Sequence, residues 1–198
     1  MSLTLRRADG SSQRLSGYRF SAEKARKLGA RVLRAPADAG QPPRVDLRPY
    51  MTAVENQGDT NSCVANAVAG AYEYLFKRHH GDSAYDVSRL FIYYNARTLE
   101  DEGEPDDEGS FISDAIEGLK QYGACAESTW PFKDRAVNRC PPDEAYHEAA
   151  GFLISTFSKC ERSCFRYWSE PAPWNIFATK VAPGFSVFST VSSASSRK

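Results

Sequence analysis

Several things are scarce or missing in this chain of 198 residues, and each absence removes a class of function. There is no excess of one charge: Lys+Arg and Asp+Glu stand at 25 each. That balance gives no support to a nucleic-acid or membrane-surface role. There is no long apolar run near the start, where Leu3, Leu5, Leu15 and Tyr18 are scattered among Arg6, Arg7, Asp9, Arg14 and Arg19. Neither a secretory signal nor a membrane span can be built from such a pattern. Cysteines number five, an odd count, and histidines three, the last of them His147. Without a secretory signal the cysteines read as thiols of a reducing, cytoplasmic compartment. Metal sites are also lacking. His79 and His80 are adjacent and point roughly 100° apart on a helix. Cys160 and Cys164 have no second ligand pair for zinc. No metal and no cofactor is expected.

What is present centres on Gln57 to Cys63, Gln-Gly-Asp-Thr-Asn-Ser-Cys, which runs straight into an alanine-rich stretch. From there Val64, Ala67, Val68, Ala71, Leu75 and Phe76 fall at the spacing of a helix with one buried stripe. Gly58, Asp59, Asn61 and Ser62 before it are turn and cap residues. Cys63 is thus expected in the first turn, where unpaired N–H groups and the dipole favour an anion. That anion could be its own thiolate or the oxyanion of a carbonyl beside it. Gln57, six residues upstream, carries an amide that could supply a second oxyanion donor. A small buried cysteine at a helix cap fits the local pattern equally well.

Two ordered motifs add a family resemblance. Val45-Asp46-Leu47-Arg48, Asn56-Gln57-Gly58 and Ser62-Cys63 resemble the mature start of the papain-like cysteine peptidases. Gly109-Ser110-Phe111, Asp114-Ala115, Leu119, Tyr122-Gly123 and Trp130-Pro131-Phe132 resemble that family's substrate strand, the helix after it and its Tyr-Pro-Tyr segment. Together they cover roughly residues 42 to 150. The resemblance implies Cys63 as nucleophile, Gln57 as oxyanion donor, and Gly109 and Ser110 as substrate-binding backbone. Thr60 and Asp107 stand where the family has a cysteine pair that forms a disulfide, Val64 replaces a tryptophan, and Ser110 replaces a glycine. The loss of both cysteines together implies a version of the fold for a reducing compartment.

Residues 1 to 40 carry nine Lys or Arg against three acids. They read as a basic, solvated and flexible leader, within which Ser21 to Leu33 could form one helix. Ala35 to Pro43 reads as a linker into a domain over residues 41–154. Further helices are expected over Ser88 to Arg97, Ser110 to Tyr122 and Asp143 to Ala150, with Phe152-Leu153-Ile154 as a possible strand. Leu99 to Gly109 holds seven acids; its spacing does not fit a calcium loop. By position it would favour basic side chains in a bound peptide.

From Ser155 the resemblance stops. The family's catalytic His would fall at roughly residues 193 to 213, and no histidine lies there. Residues 155–198 therefore read as a divergent or truncated tail. The expected fold is α+β of the papain type, its helical half present and its β-rich second domain absent or fragmentary. The expected function is cysteine-type proteolysis on a peptide or protein substrate, in a truncated form without the catalytic His and Asn. The alternative is a catalytically inactive module that binds peptides or partners.

Overall fold

The computed structural model describes residues 2–6, 9–27, 31–33, 46–81, 85–100, 105–154 and 158–160. The expected linker at Ala35 to Pro43 and nearly all of the tail lie outside these residues.

The N-terminal segment forms β1 (Ser2–Arg6), β2 (Ser12–Ser16), β3 (Tyr18–Arg19), α1 (Ala22–Lys27) and β4 (Arg31–Leu33). β1 and β2 make an antiparallel hairpin with Leu3 opposite Leu15 and Thr4 opposite Arg14. Within the segment expected to be solvated, Ser16 and Tyr18 are buried, while Ser12 and Arg14 are exposed. The expected helix from Ser21 to Leu33 shortens to α1, because the backbone is extended again at Arg31.

The helical body follows: α2 (Cys63–His80), α3 (Arg89–Thr98), β5 (Ser110–Phe111), α4 (Ile112–Gln121), α5 (Asp143–Ala149) and β6 (Ser158–Cys160). Ser88 caps α3, its Oγ accepting from the Phe91 N–H at 3.2 Å, which satisfies one of the free donors of the first turn. α4 ends as expected at Tyr122, followed by Gly123 at φ +82°. No side chain fits there, since a β-carbon would lie 1.9 Å from the Ala149 carbonyl oxygen.

α2, α3 and α4 pack together around Ala65, Val68, Ala69, Tyr72, Tyr93, Ala115 and Leu119. Burying a side chain such as Val68 or Leu119 stabilises by about 1.5–3 kcal/mol relative to exposure. The buried side of α2 differs from the expected stripe. Val64 and Val68 are inside, but Ala67 is exposed, and Ala65, Ala69, Tyr72 and Glu73 complete the face. At the start of α4, Ser110 and Phe111 are not helix but β5, which pairs in parallel with β3 so that Tyr18 faces Ser110 and Arg19 faces Phe111. Of the strand expected at Phe152 to Ile154, only a β-bridge at Ile154 is present, after a turn at Gly151 and a bend at Phe152. There the Phe152 N–H bonds the Ala149 carbonyl, its ring stacks on Tyr85 at 4.5 Å, and Ile154 N–H reaches Leu119 O.

Candidate functional site

Cys63 opens α2, half-buried. Ser62 does not cap the helix through its side chain. Its Oγ instead meets Thr60 Oγ1 at 2.7 Å and accepts from Asn66 Nδ2 at 3.0 Å. The first-turn amides are thereby left to the sulfur: the N–H groups of Cys63 and Val64 both favour its thiolate. Burial nevertheless dominates and raises the thiol pKa above its ordinary value, against the amides of Val64, Tyr18 and Cys63, which lower it. The anion-favouring helix start expected from the sequence is present, but desolvation outweighs it.

Gln57 is 2% exposed, at the base of the same turn. Its Nε2 donates to Thr60 O at 2.6 Å and to Ser16 O at 3.3 Å. Ser16 belongs to the N-terminal segment, so a main-chain carbonyl from another part of the chain already rests on this amide. The next residue, Gly17, accepts through its carbonyl from the Ser110 N–H at 2.8 Å. The Tyr18 amide then lies near enough to the Cys63 thiol to hold its pKa down against burial. Residues 16–18 therefore lie extended across the thiol, between the Gln57 turn and β5.

The fit is tight. Gly17 has φ +103°, and a β-carbon on it would come within 1.6 Å of Asn61 O; one on Gly109, at φ +90°, would come within 2.1 Å of Gly17 O. Only glycine permits this approach of three main chains.

The two sides of the cleft are tied by Asp107. Its carboxylate accepts from the Asn61 N–H at 2.9 Å and from Tyr93 Oη at 2.6 Å, while its carbonyl accepts from Asn61 Nδ2 at 2.6 Å. Tyr93 Oη in turn accepts from the Gly109 N–H at 2.9 Å. Hydrogen bonds thus join the nucleophile turn to β5 at the place where the resemblance implies a lost disulfide. Cys63, Cys125 and Cys140 are free thiols.

This arrangement has solved counterparts. Xylellain, a cysteine protease from Xylella fastidiosa, matches with TM-score 0.64 at 30% identity over 74% of this chain and 59% of its own. The fold is that of the helical half of the papain-like cysteine proteases. A digestive procathepsin L2 proteinase from Tenebrio molitor larval midgut shares the fold, with TM-score 0.55 at 21% identity over 67% of this chain and 42% of its own. In sequence, an uncharacterized peptidase C1-like protein of Acanthamoeba polyphaga mimivirus is 38% identical over 109 residues, 52% of this chain and 35% of that protein. No protein-family model matches the chain. The chain spans about a third of the viral relative and 59% of xylellain.

Cys63, Gln57, Gly109 and Ser110 all border the segment 16–18. The histidines do not join them: His80 stacks on Phe76 at the end of α2, and His147 is exposed on α5. Of the acidic stretch, Glu100 and residues 105–108 are described, and Glu100 faces the cleft strand through its partners in the N-terminal segment. What sequence reading missed was the N-terminal strand in the cleft. A signal existed: Asp9-Gly10 between two alternating runs is a hairpin pattern.

Proposed function

We propose that this chain carries the nucleophile and the substrate strand of a papain-like cysteine peptidase, in a domain over residues 41–154. The observation that carries the reading is the extended segment 16–18. It occupies the cleft as a bound peptide would, with one carbonyl on Gln57 Nε2, the next on the Ser110 N–H, and an amide near the Cys63 thiol.

In this reading Cys63 Sγ attacks a substrate carbonyl carbon and forms a C–S bond. The oxyanion takes hydrogen bonds from Gln57 Nε2 and the Cys63 N–H. Collapse breaks the C–N bond, the amine leaves with a proton, and water cleaves the thioester. That proton must come from an acid. His79 is 16 residues beyond Cys63 on α2, some 24 Å at a rise of about 1.5 Å per residue. General acid–base catalysis contributes typically about 10²–10⁴ in rate. In this reading Cys63 and Gln57 act as nucleophile and oxyanion donor, and neither histidine of α2 is near enough to carry the proton. The same observation favours a second reading, a module that binds peptides without cleaving them.

The test is alkylation of the 198-residue chain by iodoacetamide, followed residue by residue by mass spectrometry, alongside hydrolysis of a fluorogenic peptide. We expect Cys63 to react slower than exposed Cys140 and faster than Cys125, whose thiol burial pushes up to about 12, with hydrolysis at background. Cys63 as inert as Cys125 would overturn the nucleophile assignment. Hydrolysis lost in Cys63→Ala would overturn the binding-only reading and require a base outside the described residues.

A further inference from the structure

We propose that Glu100, Asp114 and the face of Phe111 form a subsite that selects a cationic side chain, Arg or Lys, in a peptide bound along β5. The proposal rests on the peptide-cleft reading above and adds its chemical preference.

The subsite is visible because the chain's own N-terminal segment fills it. Arg19 Nη1 and Nη2 donate to Glu100 Oε2 and Oε1 at 2.6 and 3.1 Å, a two-point fork. Lys24 Nζ donates to Asp114 Oδ2 at 2.6 Å and lies 3.7 Å from Glu100 Oε1. Both cations also lie over the Phe111 ring, Arg19 Cζ at 4.6 Å and Lys24 Nζ at 4.4 Å from its centroid.

An exposed salt bridge would carry little selectivity. Here the carboxylates are mostly shielded, the side chains of Glu100 and Asp114 being 21% and 12% exposed. A forked guanidinium–carboxylate pair is among the stronger and more directional contacts, and an aromatic face beneath it adds attraction for a cation but not for a neutral isostere. The acids come from different elements: Glu100 follows α3, and Asp114 stands in the first turn of α4. Each reaches the same ammonium, so without a cation between them two like charges face each other in partly desolvated surroundings. The emptied subsite therefore calls for positive charge.

Register ties the subsite to the cleft. Arg19 pairs with Phe111 on β5 and lies two residues beyond Gly17, whose carbonyl takes the Ser110 N–H. A peptide following the same path presents its corresponding side chain to Glu100.

The test uses the full chain with Gly17→Ala, whose β-carbon collides with Asn61 O and displaces residues 16–18 from the cleft, together with Arg19→Ala and Lys24→Ala, which vacate the subsite. Two labelled hexapeptides are titrated: Leu-Ser-Gly-Tyr-Arg-Phe, and the same peptide with norleucine for arginine. Binding is read by fluorescence anisotropy and by protection of Cys63 from iodoacetamide. The arginine peptide should bind about tenfold more tightly at low salt, and the ratio should shrink as salt rises. Adding Glu100→Gln and Asp114→Asn should bring the two affinities together. Equal binding of both peptides to the parent variant overturns this proposal alone. Binding of neither overturns the peptide-cleft reading, and this proposal with it.

Discussion

Gly17 holds a conformation and a position that no other residue can share. Its φ is +103°, and the space of its missing β-carbon is taken by Asn61 O. Strain of this type costs of order 1–3 kcal/mol, enough to move a closed–open balance by about 5- to 150-fold. Gly17→Ala should therefore loosen the segment over Cys63, lower the thiol pKa by relieving burial, and raise the iodoacetamide rate by roughly tenfold or more. The far-UV circular dichroism should stay nearly as it is, because α2, α3 and α4 pack directly on one another and only Tyr18 of the segment joins their core. An unchanged alkylation rate would show that the segment does not shield the thiol. At this scale the motifs named Cys63, Gln57, Gly109 and Ser110, and the structure sets all four beside residues 16–18; their roles belong to the proposed function. Asp107 was noticed only as a missing cysteine. Its contact with Asn61 spans 46 residues, and local pattern carries no information on such a pair.

Among the elements, α2 shows how small residues blur a helical face. Ala65, Ala67, Ala69 and Ala71 are alike in size, so the apolar spacing did not reveal that Ala65 and Ala69 go inside while Ala67 faces out. Nor could it place Glu73, 2% exposed, whose carboxylate accepts from the Val87 N–H at 2.9 Å and from the Thr52 hydroxyl. α3 has a similar hidden feature in Arg89, 8% exposed. Its Nε lies 2.9 Å from Glu55 Oε2, an ionic contact without hydrogen-bond alignment. Its Nη2 donates to Glu127 at 3.2 Å, and Nη1 to the Asn56 carbonyl at 3.2 Å. One guanidinium thereby fixes the strand of chain that delivers Gln57. Above about pH 7, where Glu55 has released its proton, Arg89→Met keeps the volume but strands two mostly buried carboxylates, a change that costs about 3–5 kcal/mol when a buried pair loses one partner. Urea unfolding should show a loss of that order. A midpoint within error of the parent would mean that Glu55 and Glu127 find other partners. α4 was read closely from its stripe, yet its first two residues were misassigned, because the two-residue strand β5 exists only through its pairing with β3.

For the molecule as a whole, the helical half was legible because three long amphipathic stretches impose it. The N-terminal segment was not, since its burial depends on a cleft that forms elsewhere in the chain. Among the described residues no helix is long and apolar enough to cross a membrane. The response to pH is also a property of the whole. Burial raises the Glu55 pKa to about 7; Arg89 opposes this, and Glu73, Asp86 and Glu127 add repulsion. Between the ordinary value of 4.5 and about 7 the folded chain keeps a proton that the unfolded chain has released. Stability should accordingly fall as pH rises through that window and level off above it. Glu73 is raised in the same direction, again by burial first. The melting temperature, scanned from pH 4.5 to 8, should decline toward neutrality, and Glu55→Gln should flatten the decline; a parent curve that rises instead would contradict the assignment. The Asp107 clamp has a different consequence, for folding. A covalent bridge restricts the unfolded chain and ties its formation to slow thiol exchange and an oxidant. A carboxylate that grips Asn61 and Tyr93 does neither, so the cleft can come apart and reassemble in the presence of thiol reductants, at the pace of chain motion.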